Sequence, residues 1–167
     1  MNRIILLILV FGFSKANAQM GEAQQMHWDW DSVVSFKTNA GAVWDVLKET
    51  QKWNEISNGF VKSVTVKGEH PNQVRELSFA DGRVRKDEVV QFQPEYKMVV
   101  IQLSKPLPQG IEEGMMAFFI TGEGSEAKLR ITMVVKGEAA ARKKLVEELS
   151  REGAAYFAGI SNRLALK

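Results

Sequence analysis

The order of hydrophobic patterns along the chain is the feature that most constrains its fold. Residues 27–37 alternate between apolar and polar, and the short run after them carries Val43, Trp44 and Leu47 at helical spacing. Alternating segments then recur as far as residue 136, and a long helical stripe follows them. Alternation is typical of half-buried strands, and a spacing of three or four is typical of helices. This order predicts an antiparallel sheet that packs on one long helix.

Seven segments are predicted to form strands. The first is residues 27–37, and its apolar face is predicted to consist of Trp28, Trp30, Val34 and Phe36. The other six are residues 60–67, 73–79, 83–92, 96–103, 115–121 and 127–136. Asp81-Gly82 provides the residue types that a tight hairpin requires between the third and fourth segments.

Three segments are predicted to form helices. The first is residues 42–47, with Asn39 as its N-cap, and the second is residues 52–56. The third, residues 138–166, carries the stripe that faces the sheet, which consists of Leu145, Leu149, Gly153, Tyr156, Ile160 and Leu164.

Two glycines interrupt this long helix. Gly153 and Gly159 each cost about 1 kcal/mol relative to alanine inside a helix. Three explanations remain open: they allow close approach to the sheet, they leave room for a ligand, or they only weaken or bend the helix.

The first eighteen residues have the pattern of a secretory signal peptide. Arg3 gives a positive start, residues 4–11 are apolar, and Ala16-Asn17-Ala18 is an A-x-A cleavage site before Gln19. The apolar run is shorter than the ~20 residues that a membrane-spanning helix needs, so a cleaved signal is favoured over an anchor. We therefore predict a signal over residues 1–18, a flexible lead over 19–26, and one domain over 27–167. The expected location is the periplasm, with secretion as the alternative.

Composition excludes several classes of function. Signal cleavage would remove Arg3 and Lys15 but no acidic residue, so 22 basic and 20 acidic residues would become 20 of each. A neutral chain gives no electrostatic reason to expect nucleic-acid binding. The chain has no cysteine, which excludes disulfides and lipoprotein attachment. After cleavage we expect no transmembrane anchor.

Over residues 27–166 the element order resembles the START/Bet v 1-like superfamily (SRPBCC), which includes polyketide cyclases. The stretches that carry the resemblance are Val43-Trp44 with Trp53, Phe60-Val61-Lys62-Ser63, residues 74–79 with Asp81-Gly82, residues 85–90, and Pro106-Leu107-Pro108. The resemblance implies an α+β helix-grip fold, in which a curved antiparallel sheet of about seven strands (β-α-α-β6-α) wraps around a long C-terminal helix. Arg83-Val84 stands where hormone receptors of this superfamily have Leu-Pro, so we infer neither hormone binding nor a phosphatase partner.

The resemblance also implies a ligand cavity between sheet and helix. It implies that Lys62 and Glu88 point inward beside Leu77 and Phe79 and hold a ligand's carboxylate or carbonyl. The alternative is that one or both face solvent, because a register shift of one residue reverses every side chain. The remaining cavity candidates are Ile101, Met115, Met116, Phe118, Met133, Tyr156 and Ile160. For the methionines and aromatic residues, ordinary core packing is an equally good interpretation.

The sequence has little support for catalysis. His27 and His70 are far apart and are predicted to lie on the surface, so no metal site is expected. We predict no catalytic residue and no cofactor. Gly122-Glu123-Gly124 is interpreted as a hairpin, because it lies between strands rather than before a helix.

Three functional hypotheses follow. The first is an exported, non-catalytic domain that binds a small hydrophobic molecule such as a lipid, isoprenoid or polyketide. The second is an enzyme of the polyketide cyclase or dehydratase type, in which Glu88 or Tyr156 moves protons. The third is an accessory protein of a periplasmic redox enzyme, with Trp28 and Trp30 at the protein interface.

Overall fold

A computed structural model describes residues 27–165, which form one seven-stranded antiparallel sheet and a long C-terminal helix. The strands are β1 (Trp30–Phe36), β2 (Val61–Lys67), β3 (Gln73–Phe79), β4 (Val84–Gln93), β5 (Met98–Leu103), β6 (Ile111–Glu123) and β7 (Glu126–Gly137). Their order in the sheet is β1-β7-β6-β5-β4-β3-β2. The helices are α1 (Ala40–Leu47), α2 (Ala139–Ala165) and two short 3₁₀ helices, Thr50–Ile56 and Pro94–Tyr96.

The segment between β1 and β2 folds as its local sequence predicts. The Asn39 side chain accepts a hydrogen bond of 2.9 Å from the backbone N–H of Ala42, so it is the N-cap of α1. Trp53, in the first 3₁₀ helix, donates its indole N–H to the carbonyl oxygen of Leu47 at 2.8 Å. This bond joins the two helices and places the buried Trp53 ring in the core.

The core lies between α2 and the inner face of the sheet, which we define as the face toward α2. Helix α2 contacts β7, β1 and the first 3₁₀ helix. Its buried face includes Leu145, Leu149, Tyr156 and Ile160, which belong to the predicted stripe. The predicted helix-grip arrangement is therefore confirmed, and no helix of the described part is long and apolar enough to cross a membrane.

Both glycines of α2 lie where the helix approaches other parts of the chain closely. A Cβ on Gly159 would stand 2.2 Å from the carbonyl oxygen of Ile56. A Cβ on Gly153 would stand 3.1 Å from the Trp30 ring and 3.2 Å from the Met133 methyl group. Close approach, rather than room for a ligand, explains these two residues.

The start of the chain differs from the prediction. Trp30 packs on α2 with its ring centroid 6.3 Å from that of Phe157, so it belongs to the inner face. Trp28 instead lies on the outer face, where it lines a small groove with Met115 and Val134. Its predicted place beside Trp30 was wrong because regular β1 geometry begins only at Trp30. The predicted signal and lead, residues 1–26, lie outside the described residues.

Candidate ligand-binding cleft

A buried network of charged side chains crosses the inner face of β3 and β4. Arg75 and Asp87 are fully buried and form a two-bond pair, with Nε–Oδ1 and Nη2–Oδ2 distances of 2.7 and 3.0 Å. The Arg75 guanidinium also lies over the Trp53 ring, 4.3 Å from its centroid. Stacking and pairing together compensate for the loss of water around this charge.

Arg85 extends the network from β4 to α2. Its Nη1 and Nη2 atoms donate to the two carboxylate oxygens of Glu152 at 2.6 and 2.9 Å, and Nη2 also reaches Asp87 at 3.1 Å. The Tyr156 hydroxyl donates to Glu152 at 3.0 Å. Two arginines and two acids thus balance in charge, and each carboxylate oxygen accepts at least one hydrogen bond.

The surroundings shift the titration of this network. Burial alone lowers the pKa of Arg85, but the charges of Glu152 and Asp87 and the bond to Glu152 outweigh it, so the pKa lies above its usual value. Burial, followed by the charge of Glu152, raises the pKa of Tyr156 well above its usual value. Tyr156 is therefore a neutral hydrogen-bond donor at neutral pH and does not supply a base.

An open cleft of about 550 Å³ lies next to this network, at one end of the molecule. Its walls are the β3–β4 hairpin, the loop between β5 and β6, and the first half of α2. The apolar residues of the walls are Phe79, Val84, Leu103, Pro106, Leu107, Pro108 and Leu145. The polar ones are Arg83, Arg85, Lys86, Ser104, Lys105 and Glu148. Pockets of ~300–1,000 Å³ with mostly apolar walls are typical of sites for small molecules.

Arginines organise the floor and mouth of the cleft around Phe79. The guanidinium carbons of Arg83 and Arg85 lie 5.1 and 5.2 Å from the centroid of the Phe79 ring. Arg83 pairs with Glu148 of α2 and, at 2.7 Å, with Asp81 of the hairpin. The Arg83–Glu148 pair therefore links the hairpin to the helix across the mouth.

Solved structures with the same architecture identify the fold of the chain. Truncated norcoclaurine synthase from Thalictrum flavum is 16% identical, with a TM-score of 0.69 over 81% of this chain and 91% of that one. Zhui aromatase/cyclase from Streptomyces sp. R1128 is 14% identical, with a TM-score of 0.65 over 80% and 91%. The protein XoxI from Bacillus cereus is 8% identical, with a TM-score of 0.69 over 80% and 93%. The chain has the START/Bet v 1-like fold. No protein-family profile and no curated protein matches the sequence.

Within this START-like domain, most predicted cavity residues are core. Seven of the eleven candidates are fully buried on the inner face or on α2: Leu77, Ile101, Met116, Phe118, Met133, Tyr156 and Ile160. The Trp53 centroid lies 4.6 Å from that of Phe118 and 5.1 Å from that of Tyr156. These rings fill the space between sheet and helix, so the core interpretation fits them. Of the predicted residues, only Phe79 lines the cleft.

Lys62 and Glu88 do not point inward, so the expectation of an inward pair was wrong. Lys62 is the extra residue of a β-bulge, where the pairing with β3 shifts between Val61 and Ser63, and it is exposed. Glu88 alternates with the buried Asp87 and Val89 and therefore faces the outer side. The inward carboxylate of this strand is Asp87.

Met115 also belongs to the outer face rather than to a central cavity. It alternates with the buried Met116 on β6 and lines the groove of about 230 Å³ that Trp28 borders. Met98 of β5 lines the same groove. The crowding of methionines that the sequence shows is therefore divided between two faces of the sheet.

The sequence contained signals for the network that the prediction missed. Arg75 has the same strand parity as Leu77, which was assigned inward, so Arg75 had to share that face. Glu152 follows Leu149 by three residues and precedes Tyr156 by four, which places it on the buried stripe of α2.

The two histidines differ in their surroundings. His27 is exposed, whereas His70 is only partly at the surface and stacks on Phe92 with ring centroids 4.1 Å apart. Its Nε2 atom lies 3.2 Å from the Thr50 hydroxyl, which donates to Gln73 at 2.6 Å. Among residues 27–165, no group of three His, Asp or Glu side chains has a metal-binding arrangement.

Proposed function

We propose that the protein is an exported START-like domain that binds a small, largely apolar molecule in the cleft and does not transform it. The cleft itself is the observation that carries the proposal. It has a volume of about 550 Å³, and its apolar walls include Phe79, Leu103, Leu107 and Leu145. Burial of apolar ligand surface there contributes ~25 cal/mol per Å².

The arrangement of polar groups supports binding rather than catalysis. Tyr156 lies in a closed, charge-balanced network and is fully buried, whereas Glu88 faces outward. These two residues carried the enzyme hypothesis. Neither lines the cleft, so a ligand bound there would not contact them.

A neutral fluorescent probe tests binding directly. N-phenyl-1-naphthylamine is apolar and fluoresces strongly only out of water, and we expect it to bind saturably with one probe per protein. Leu107→Asn removes an apolar wall from a half-buried loop position and should weaken binding by roughly 3–10-fold. Val33→Asn is the matched control, because Val33 is 52% exposed on β1 and does not line the cleft.

Two outcomes of the titration would contradict the proposal. Absence of saturable binding would show that the cleft is not a binding site for apolar molecules. Equal binding by the Leu107→Asn and Val33→Asn variants would show that the probe binds elsewhere. If the probe does bind in the cleft, native mass spectrometry of the purified protein, with analysis of its organic extract, identifies a natural ligand that is bound in stoichiometric amount.

Export is the second part of the proposal and rests on the sequence of residues 1–18. Its test is the mass of the protein recovered from an exporting host. Processing after Ala18 gives a chain that begins at Gln19. Recovery of only the full-length chain would contradict export by a cleaved signal.

A further inference from the structure

The residues that line the cleft carry an excess of positive charge. Among the lining residues between 27 and 165, four are cationic, Arg83, Arg85, Lys86 and Lys105, and only Glu148 is acidic. Charged groups on the walls of a half-enclosed site interact more strongly than they do in open water. Whether these walls favour an acidic ligand depends on how many of the four cations are already paired with acids of the chain.

The partners of these cations indicate which of them are available. Arg85 is held by the buried Glu152, and Lys86 pairs with Glu76 at 3.2 Å. Lys105 forms no ion pair with any residue between 27 and 165. Lys105 is thus the cation of the cleft whose charge is not already matched.

Arg83 is already paired with two acids of the chain itself. Asp81 binds its Nε atom from the hairpin, and Glu148 binds its Nη1 atom from α2. The side chains of Arg83 and Glu148 are 37% and 21% exposed, so this pair lies at the solvent boundary. A pair at such a position is worth about 1 kcal/mol or less, so a ligand acid can replace one partner at little cost.

We propose that the cleft binds an amphipathic anion, whose acidic group takes the place of Glu148 on Arg83 and also contacts Lys105. Its apolar part would pack on Phe79 and Leu107. The inference rests on the proposed function and adds the charge of the ligand. The position of the Glu148 carboxylate supports it, because this acid already occupies the Nη1 side of Arg83 at the mouth.

A pair of probes with one ring skeleton separates charge from apolar burial. 1-Anilinonaphthalene-8-sulfonate carries a sulfonate, and N-phenyl-1-naphthylamine is its neutral counterpart. Arg83→Gln should weaken binding of the sulfonate by roughly fivefold and change binding of the neutral probe less than twofold. Lys105→Gln, at an exposed loop position, should weaken binding of the sulfonate probe by about two- to threefold.

Glu148→Gln gives the sharpest test because its effect has the opposite sign. It removes the internal competitor, which is the one acid among the described lining residues, so it should strengthen sulfonate binding by roughly three- to fivefold. Binding of the neutral probe should stay unchanged. Arg130→Gln is the control, because Arg130 is an exposed arginine paired with Asp31 and does not line the cleft.

The outcomes distinguish this inference from the proposed function. One outcome is that the neutral probe binds saturably, but substitution of Arg83, Lys105 or Glu148 leaves the affinity for the sulfonate probe unchanged. This outcome would overturn the proposal of an anionic ligand and leave the cleft as an apolar site. Failure of the neutral probe to bind would overturn the proposed function. If Arg130→Gln and Arg83→Gln weaken sulfonate binding equally, the sulfonate binds to the protein surface in general, and the proposal of an anion site in the cleft is overturned.

Discussion

The buried network and the cleft share Arg85, but they differ in how fully their charged side chains are paired. In the network, Arg75 and Arg85 are matched by Asp87 and Glu152, and solvent has almost no access. In the cleft, cations outnumber acids among the lining residues, and Arg83 pairs at the surface. The first region is balanced in charge without a ligand, whereas the second leaves Lys105 and apolar surface available.

This difference indicates which polar residues of a START-like domain hold the fold and which are free to bind. A buried ion pair contributes little net stability, but loss of one partner leaves an uncompensated charge. A partly exposed pair exchanges partners at low cost. Substitutions in the network should therefore change stability, and substitutions in the cleft should change binding.

The largest expected effect is at Asp87. Asp87→Asn removes the one carboxylate among residues 27–165 that pairs with Arg75 and leaves a fully buried guanidinium without that counter-charge. We expect the free energy of unfolding to fall by ~3–5 kcal/mol. Urea unfolding at pH 7, followed by tryptophan fluorescence, measures the change.

Asp31→Asn is the matched control for this substitution. Asp31 and Arg130 form the same type of two-bond pair, with an Nε–Oδ1 distance of 2.8 Å, but on the exposed outer face. Screening by water makes such a pair weak, so we expect no resolvable loss. Similar losses for Asp31→Asn and Asp87→Asn would show that burial does not distinguish the two pairs.

The fold could be predicted from the sequence because its patterns are regular. On β7, Leu129, Ile131 and Met133 alternate with polar residues, and the apolar stripe of α2 repeats every three or four residues. Each pattern specifies both the element and its buried face. Their order along the chain then specified the sheet and its helix.

The site was predicted less well, because bulges interrupt the alternation on which inward assignments depend. The β-bulge at Lys62 breaks the parity of β2, and another irregularity lies between Val89 and Gln91 on β4. The adjacent acids Asp87 and Glu88 offered no hydrophobic contrast to show which faces inward. The cleft itself brings together a hairpin, a loop and α2, and such a juxtaposition is not a property of any single segment.

A second prediction tests whether the core side of α2 is as closed as the network suggests. Gly159→Ala would place a Cβ 2.2 Å from a backbone carbonyl oxygen of Ile56, which cannot move aside as a side chain can. Because the clash is with backbone, we expect the overpacking loss to lie near the upper end of ~1–3 kcal/mol and to outweigh the gain of about 1 kcal/mol in helix propensity. Thermal or urea unfolding measures the net change.

Gly153→Ala provides the comparison for Gly159→Ala. Its Cβ would meet only side chains, the Trp30 ring at 3.1 Å and the Met133 methyl group at 3.2 Å. These groups can shift by a few tenths of an ångström, so we expect a smaller loss than at Gly159. A stabilised Gly159→Ala variant would mean that α2 has free space there, which would restore the idea of a ligand beside the helix.

The smallest effect concerns His70, which stacks on Phe92 and does not line the cleft. Burial and the positive charge of Arg75 lower the pKa of His70 below its usual value. Below about pH 6.5 the unfolded chain therefore binds the His70 proton more readily than the folded chain does. The free energy of unfolding should decrease as the pH falls through this range, and the decrease should level off below the folded pKa.

Comparison of unfolding at pH 7.5 and pH 5.5 isolates this contribution from that of carboxylates, which titrate mainly at lower pH. His70→Gln should reduce the loss of stability between these two pH values. His27→Gln, a change at an exposed histidine, should keep the wild-type loss. An unchanged pH dependence in His70→Gln would mean that the folded chain binds the His70 proton as readily as the unfolded chain does. That result would contradict the lowered pKa of His70, and with it the idea that burial beside Phe92 disfavours a charge on this ring.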